Sequence, residues 1–221
     1  MADKLLLPLA EAAAACYIPG NQPTWQSSLR LVHVFHSLVK IEEAWTNCFA
    51  FEGTTDIQEW MVDFFAVQIP VIEHPQLGFV HAGFLLDVQA VIGNIYNKMA
   101  SLGWPPFYIC GHSKGAGEAI LCAGLMKAMG HPALATRAYE PPRVGGEILK
   151  EYLADQDLAW TQTYNSDGLD LVTLVPEGPS WCHDGTCVRL EVPDSYGIAE
   201  KHRIPAVIES IKNLDKASPA P

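Results

Sequence analysis

The chain has 221 residues, 49% hydrophobic and 18% charged, with 14 Lys and Arg against 25 Asp and Glu and a formal charge of −11. That length suits one domain that buries roughly 70–75% of its unfolded surface, and the apolar fraction excludes a disordered chain. The acidic balance, with no Lys/Arg cluster, argues against a nucleic-acid partner, and no run of about 18 apolar residues offers a transmembrane segment.

Leu5 to Cys16 reads as an amphipathic helix, with a linker completing residues 1–25. It does not read as a secretory leader, because the apolar run stops at Glu11 and Asp3 spoils a basic start. A secreted form without its leader would look the same, so the compartment stays open. Leu31 to Ile41 and Ala44 to Phe51 read as strands, and Ile57 to Phe65 as a short helix. Phe84, Val88, Val91, Ile92, Ile95, Tyr96 and Met99 recur at steps of three and four, which predicts one helix with one buried face, stopped by Gly103 and Pro105-Pro106. Phe107 to Cys110 is a short, fully apolar strand of the kind found inside a parallel sheet. A helix over Lys114 to Met129, a strand over Leu134 to Tyr139, a helix over Gly146 to Ala154, a strand over Ala159 to Tyr164 and a terminal helix over His202 to Leu214 follow. Residues 215–221 read as a mobile tail. Such alternation predicts an α/β sheet with helices on its faces.

Six cysteines occur in a chain long enough to fold without them. Cys16, Cys48, Cys110 and Cys122 lie in apolar stretches and read as buried thiols. Cys182 and Cys187 flank the turn-like His183-Asp184-Gly185-Thr186, where free thiols and a hairpin disulfide both fit; a zinc site lacks a second ligand pair.

Gly111-His112-Ser113-Lys114-Gly115 matches G-x-S-x-G between a short apolar strand and a helix. Its glycines permit a tight strand-to-helix turn that holds the serine hydroxyl out at the end of the sheet, near the positive end of the helix dipole. Ser113 is therefore the candidate nucleophile, and it needs a base and an orienting carboxylate. In such folds the order is Ser, then Asp or Glu, then His. Asp167 and Asp170 are the candidate acids, and His183 and His202 the candidate bases; the residues alone leave four pairings open.

Several separate motifs resemble those of the class 3 lipase family, the α/β-hydrolases that include fungal triacylglycerol lipases and related feruloyl esterases. The resemblance runs from about Ala44 to His202 and rests on Phe49-Ala50-Phe51-Glu52-Gly53-Thr54-Thr55 with Trp60 and Asp63, on Val80-His81-Ala82-Gly83-Phe84, on Gly111 to Gly115, on Pro142-Arg143-Val144-Gly145, and on Asp170-Leu171-Val172 with Pro176. It implies an α/β-hydrolase fold with a mostly parallel central sheet and helices on both faces. It implies a triad of Ser113, Asp170 and His202, with His183 a noncatalytic neighbour. It also implies oxyanion donors at the Lys114 amide and at Thr54, and a lid helix over Asp56 to Phe65 whose apolar side carries Ile57, Trp60, Met61, Phe64 and Phe65. Another reading of that apolar side is that it packs into the core.

The implied activity is hydrolysis of carboxylic esters, foremost acylglycerols, through an acyl-serine, with transient contact at a lipid surface and neither cofactor nor metal. A short-chain or aromatic esterase is the alternative within that class. A noncatalytic binding protein of the same fold is the alternative outside it. Two positions depart from the family pattern. Glu52 stands where an arginine is usual, which sets it against Asp63, and Lys114 stands where a leucine is usual. Lys114 has two available partners, Glu52 and, four residues on, Glu118.

Overall fold

The computed structural model describes residues 3–27, 32–54 and 66–217. Its elements run α1 (Leu6–Ala15), β1 (Trp25–Ser27), β2 (Val32–Ile41), β3 (Ala44–Phe51), β4 (Gln68–Pro70), β5 (Phe79–His81), α2 (Ala82–Gln89), α3 (Ile92–Ser101), β6 (Phe107–His112), α4 (Lys114–Ala128), β7 (Ala135–Tyr139), α5 (Glu147–Leu153), β8 (Leu158–Asn165), β9 (Gly168–Leu169), β10 (Thr186–Glu191), α6 (Ile198–His202) and α7 (Ile204–Ala217). The main sheet has the order β1-β2-β3-β6-β7-β8-β10, with β9 paired to β8. The β3–β6, β6–β7, β7–β8 and β8–β10 pairs are parallel; β1, β2 and β9 pair antiparallel. This is the α/β-hydrolase arrangement with a mostly parallel sheet.

Strand periodicity divides the core between the two faces of the sheet. On β3, Phe49 and Phe51 point into one apolar cluster and Cys48 and Ala50 into the other. On β6, Phe107 and Ile109 join the first cluster, and Tyr108 and Cys110 the second. The first cluster is closed by α2, α3, α4 and α5, the second by α1 and α7. Helix α4 is buried from Gly115 to Met126, which is why its sequence lacks a polar stripe. The second face is further tied by Arg137, which ion-pairs Asp3 at 2.7 Å and Asp157 at 2.9 Å.

The expected single helix through Met99 is two helices, α2 and α3, parted at Ala90-Val91. Val91 takes φ −124° and ψ −17° yet stays buried, so the apolar spacing carries across a break it cannot reveal. The expected terminal helix is likewise divided. Helix α6 ends at His202, Arg203 is extended, and α7 begins at Ile204 with Pro205 in its first turn, a position that needs no amide donor. Backbone helix continues to Ala217, into the stretch expected to be mobile. The edge strand β10 has mostly exposed side chains and so no alternation to announce it. The lid residues Ile57, Trp60, Met61 and Phe64 lie outside the described residues.

Candidate active site

The carboxyl ends of β3, β6, β7 and β8 all run into the site, and the chain that leaves β10 returns to it as α6. Open α/β sheets build their ligand crevices at such ends. From β3 come Glu52, Gly53 and Thr54; from β6, His112 and Ser113; from β7, Glu140; from the end of β9, which folds back on β8, Asp170; and from α6, His202.

Ser113 sits between β6 and α4 with φ 59° and ψ −128°. A side-chain-bearing residue held at positive φ stores strain that its surroundings must enforce. Part of that enforcement is glycine. A Cβ on Gly111 would overlap the Gly115 carbonyl, so the turn closes only because none is there. Across the site, a Cβ on Gly53 would stand 3.2 Å from the Ser113 Cβ. The Glu52–Thr54 loop therefore lies directly against the serine. Lys114 opens α4, so its amide belongs to the first turn, whose N–H groups lack intrahelical acceptors.

Of the four acid–base pairings open in the sequence, one has geometry. His202 Nδ1 lies 2.6 Å from Asp170 Oδ2, with both side chains nearly solvent-free. Asp170 Oδ1 accepts from the Val172 amide at 3.0 Å. Burial alone would push the Asp170 carboxyl up, but His202, the neighbouring Glu140 carboxyl and the Val172 amide outweigh it and hold it below the usual range. Asp167 is exposed at the turn before β9. His183 is held elsewhere: its Nε2 lies 2.6 Å from the Thr173 carbonyl and its ring stacks 3.8 Å from that of Trp160. Burial pushes its imidazole down to about 4. Among the described residues, Ser113 Oγ and His202 Nε2 are buried polar atoms with no hydrogen-bond partner, free to serve a reacting group.

Of its two expected partners Lys114 takes Glu118, not Glu52, and adds Asp87. Its ammonium lies 2.9 Å from Asp87 Oδ2 on α2 and also hydrogen-bonds Glu118. Glu52 instead meets His33, with Nδ1 2.5 Å from Oε2. Asp63, its expected repulsive neighbour, lies outside the described residues. Cys182 and Cys187 are free thiols, and neither joins a metal-ligand cluster among the described residues. The buried thiols of Cys48 and Cys110 approach to 3.7 Å.

Three contributors were not anticipated. His112 donates through Nε2 to the His202 carbonyl at 2.7 Å, fixing the end of α6. Burial and the facing His202 drive its imidazole down to about 3, so it stays neutral. Tyr17, just after α1, holds the other ring nitrogen of His112. Glu140 is fully buried and clusters with Asp170 and His202. One signal for it was available: an acid directly after the wholly buried strand β7, in Tyr139-Glu140-Pro141. Further out, the Pro-Arg-Val-Gly stretch fastens its neighbours. His81 donates its amide to Val144, Arg143 donates to the Val175 and Pro176 carbonyls, and Gly145 bridges Val80 and Cys182.

The model of the family described as Lipase (class 3) matches residues 48–178, more than half of the chain. A curated relative, the secreted mono- and diacylglycerol lipase A of Penicillium cyclopium, is 27% identical over 138 residues, 58% of this chain and 43% of that protein. The chain thus spans less than half the length of the curated relative it matches. Among solved structures, the triacylglyceride lipase of Rhizomucor miehei superposes with a TM-score of 0.68 at 18% identity, over 86% of this chain and 80% of that one. The mono- and diacylglycerol lipase of Aspergillus oryzae superposes with a TM-score of 0.67 at 18% identity, over 89% and 82%. At that identity the structures speak for the α/β-hydrolase fold alone, whereas the family match takes in both Ser113 and Asp170, and the chain belongs to the class 3 lipase family.

Proposed function

We propose that this protein is a serine carboxylic-ester hydrolase acting on acylglycerols, with Ser113 as nucleophile, His202 as general base and Asp170 as the orienting acid. The observation that carries the reading is the buried His202–Asp170 pair at 2.6 Å, in the same site as a strained, unpartnered Ser113 hydroxyl. In the proposed reaction Ser113 Oγ attacks the ester carbonyl as its proton passes to His202 Nε2. The Asp170 carboxylate holds Nδ1–H and stabilises the imidazolium. The Lys114 amide and Thr54 receive the negative charge on the former carbonyl oxygen. The alcohol departs with the proton from Nε2, and water repeats the sequence to release the acid from the acyl-serine. Metal and cofactor have no part in this sequence.

The acylglycerol class is supported by family membership and by relatives whose names specify mono- and diacylglycerol or triacylglyceride lipases. No described helix is long and apolar enough to cross a membrane; the lipid contact we propose is a transient one at a surface. Ser113 is fully buried, so substrate entry requires chain to move aside. We assign that movement to Asp56–Phe65, whose apolar residues recur at helical spacing between charged ones. Because Glu52 stands where an arginine is usual and is set against Asp63, we propose that this cover opens readily and that a tributyrin-like ester is hydrolysed without a steep rise at its solubility limit. A steep rise that Trp60→Ala abolishes would overturn that part. For the reaction itself, a fluorophosphonate should label the wild type and not Ser113→Ala, and p-nitrophenyl esters of graded chain length should be turned over. An unlabelled wild type that hydrolyses no ester would leave only the fold.

A further inference from the structure

Glu140 ends β7 in a conformation that side-chain-bearing residues avoid, with φ 52°, and directly precedes a proline. Its carboxyl is sealed from solvent. Oε1 accepts from the Thr161 hydroxyl at 3.0 Å and the Thr163 amide at 3.1 Å; Oε2 lies 3.1 Å from that amide and 3.2 Å from the Thr163 hydroxyl. The Glu140 amide in turn donates to the Thr161 hydroxyl at 3.2 Å. The backbone outlier therefore delivers this carboxyl to one place, where one of its oxygens, one of Asp170 and a ring nitrogen of His202 lie within 4.8 Å of one another.

Two carboxyl groups so placed have one imidazole beside them, and it bonds Asp170. The nearby buried cation does not serve them: Lys201 Nζ donates to Asn165 Oδ1 at 2.8 Å and to the Gly168 carbonyl at 3.1 Å. Two carboxylates packed this closely in a sealed interior strongly disfavour each other's charge, so one keeps its proton. The choice between them follows from their donors. Asp170 has the imidazole N–H and the Val172 amide. The Thr163 hydroxyl, with one proton to give, lies closer to the Lys201 carbonyl, at 2.9 Å, than to Glu140 Oε2, which leaves that oxygen able to carry a proton.

We propose that Glu140 is a protonated carboxylic acid that donates a hydrogen bond to the Asp170 carboxylate and so positions the Asp170–His202 pair. Burial first, and then the Asp170 charge and hydrogen bond, drive the Glu140 carboxyl well above the usual range, against the opposing Thr163 and Thr161 donors. Glu140 is a positioning residue: it touches no reacting atom. It fixes the rotation of the Asp170 carboxylate so that Oδ2 faces Nδ1. Being neutral, it adds no second charge that would strengthen Asp170 as a base and draw the proton off Nδ1.

The proposal rests on the hydrolase reading, and its test separates the two. Glutamine keeps the shape and a neutral donor; alanine keeps neither. Glu140→Gln should retain kcat within about threefold, while Glu140→Ala should lose roughly 10–100-fold in kcat with KM little changed, the span of one lost hydrogen bond to a charged group. Two further readouts need no turnover. The infrared difference between wild type and Glu140→Gln near neutral pH should show loss of a protonated carboxylic-acid C=O band. The downfield His202 Nδ1–H proton resonance should hold its position in Glu140→Gln and move in Glu140→Ala. Loss of a carboxylate band instead, a glutamine variant as impaired as the alanine one, or an unmoved resonance in Glu140→Ala would overturn the proposal while leaving ester hydrolysis standing. A wild type without hydrolysis would sink the function reading, with the infrared and resonance results still deciding Glu140.

Discussion

The Tyr17 hydroxyl and His112 Nδ1 lie 2.9 Å apart, across 95 residues of chain, and join the end of α1 to the residue before Ser113. Because His112 Nε2 donates to the His202 carbonyl, Nδ1 must accept, and Tyr17 is its donor. Tyr17→Phe should leave a buried acceptor unpaired and cost about 1–3 kcal/mol of unfolding free energy. The pH dependence has a definite sign. The His112 pKa is depressed from 6.5 to about 3 in the folded chain, so below 6.5 the unfolded chain binds a proton the folded one refuses. Stability therefore falls as pH drops from 6.5, by about 3 kcal/mol at pH 4 from this group. Urea melts at pH 4 and pH 7 should show a smaller difference in His112→Gln.

Ser113→Ala and His202→Ala should each lower ester turnover by three or more orders of magnitude, on the order of what single triad deletions cost elsewhere. Asp170→Asn should lower it by a similar amount, because asparagine cannot hold the Nδ1–H tautomer. Far-ultraviolet circular dichroism should be unchanged. If Asp167→Asn abolished turnover and Asp170→Asn did not, the acid assignment would be wrong.

Lys114 binds two carboxyl groups beneath the site, Asp87 and the fully buried Glu118. Burial first, with Asp87 adding to it, raises the Glu118 pKa from 4.5 to about 8 despite Lys114. Lys114→Leu should destabilise the fold by about 3–5 kcal/mol at pH 9, the cost of stranding one partner of a buried pair. The loss should shrink at pH 5, where Glu118 holds its proton. Denaturation of Lys114→Leu/Glu118→Leu at both values completes the comparison; this double variant should recover part of the stability at pH 9.

Asp184 is 1% exposed, and neither of its carboxyl oxygens has a hydrogen-bond partner among the described residues. Burial raises its pKa from 3.8 to about 8, with Lys150 opposing. A raised carboxyl keeps its proton while the unfolded chain gives its own up, so stability is lost as pH climbs from about 4 to about 8. Asp184→Asn has no proton to lose and should exceed the wild type by roughly 2–5 kcal/mol at pH 9 while matching it near pH 4. Equal denaturation midpoints at pH 9 would refute this.

The alternation of strand and helix, the strand-to-helix turn around Ser113 and the buried helix that follows it were legible in residue order. Each arises from local chemistry: apolar runs, helical spacing, and glycines where a turn must close. Which acid meets which histidine was not legible in the residue pattern alone, since Asp167 and Asp170 differ by three positions; the motif resemblance singled out Asp170 and His202, and burial and the 2.6 Å contact separate them in the fold. For Lys114 the i,i+4 partner Glu118 was among the two candidates, but its second partner, Asp87 on another helix, was not legible. Glu140 and His112 were invisible as a group: the parallel strands β6 and β7 end side by side, and the β9 turn and α6 bring Asp170 and His202 to them. Local pattern records which face of a strand or helix is apolar. The pairing of charges and the sharing of a proton depend on which strand ends adjoin, and only the closed sheet, with its low-dielectric interior, decides that.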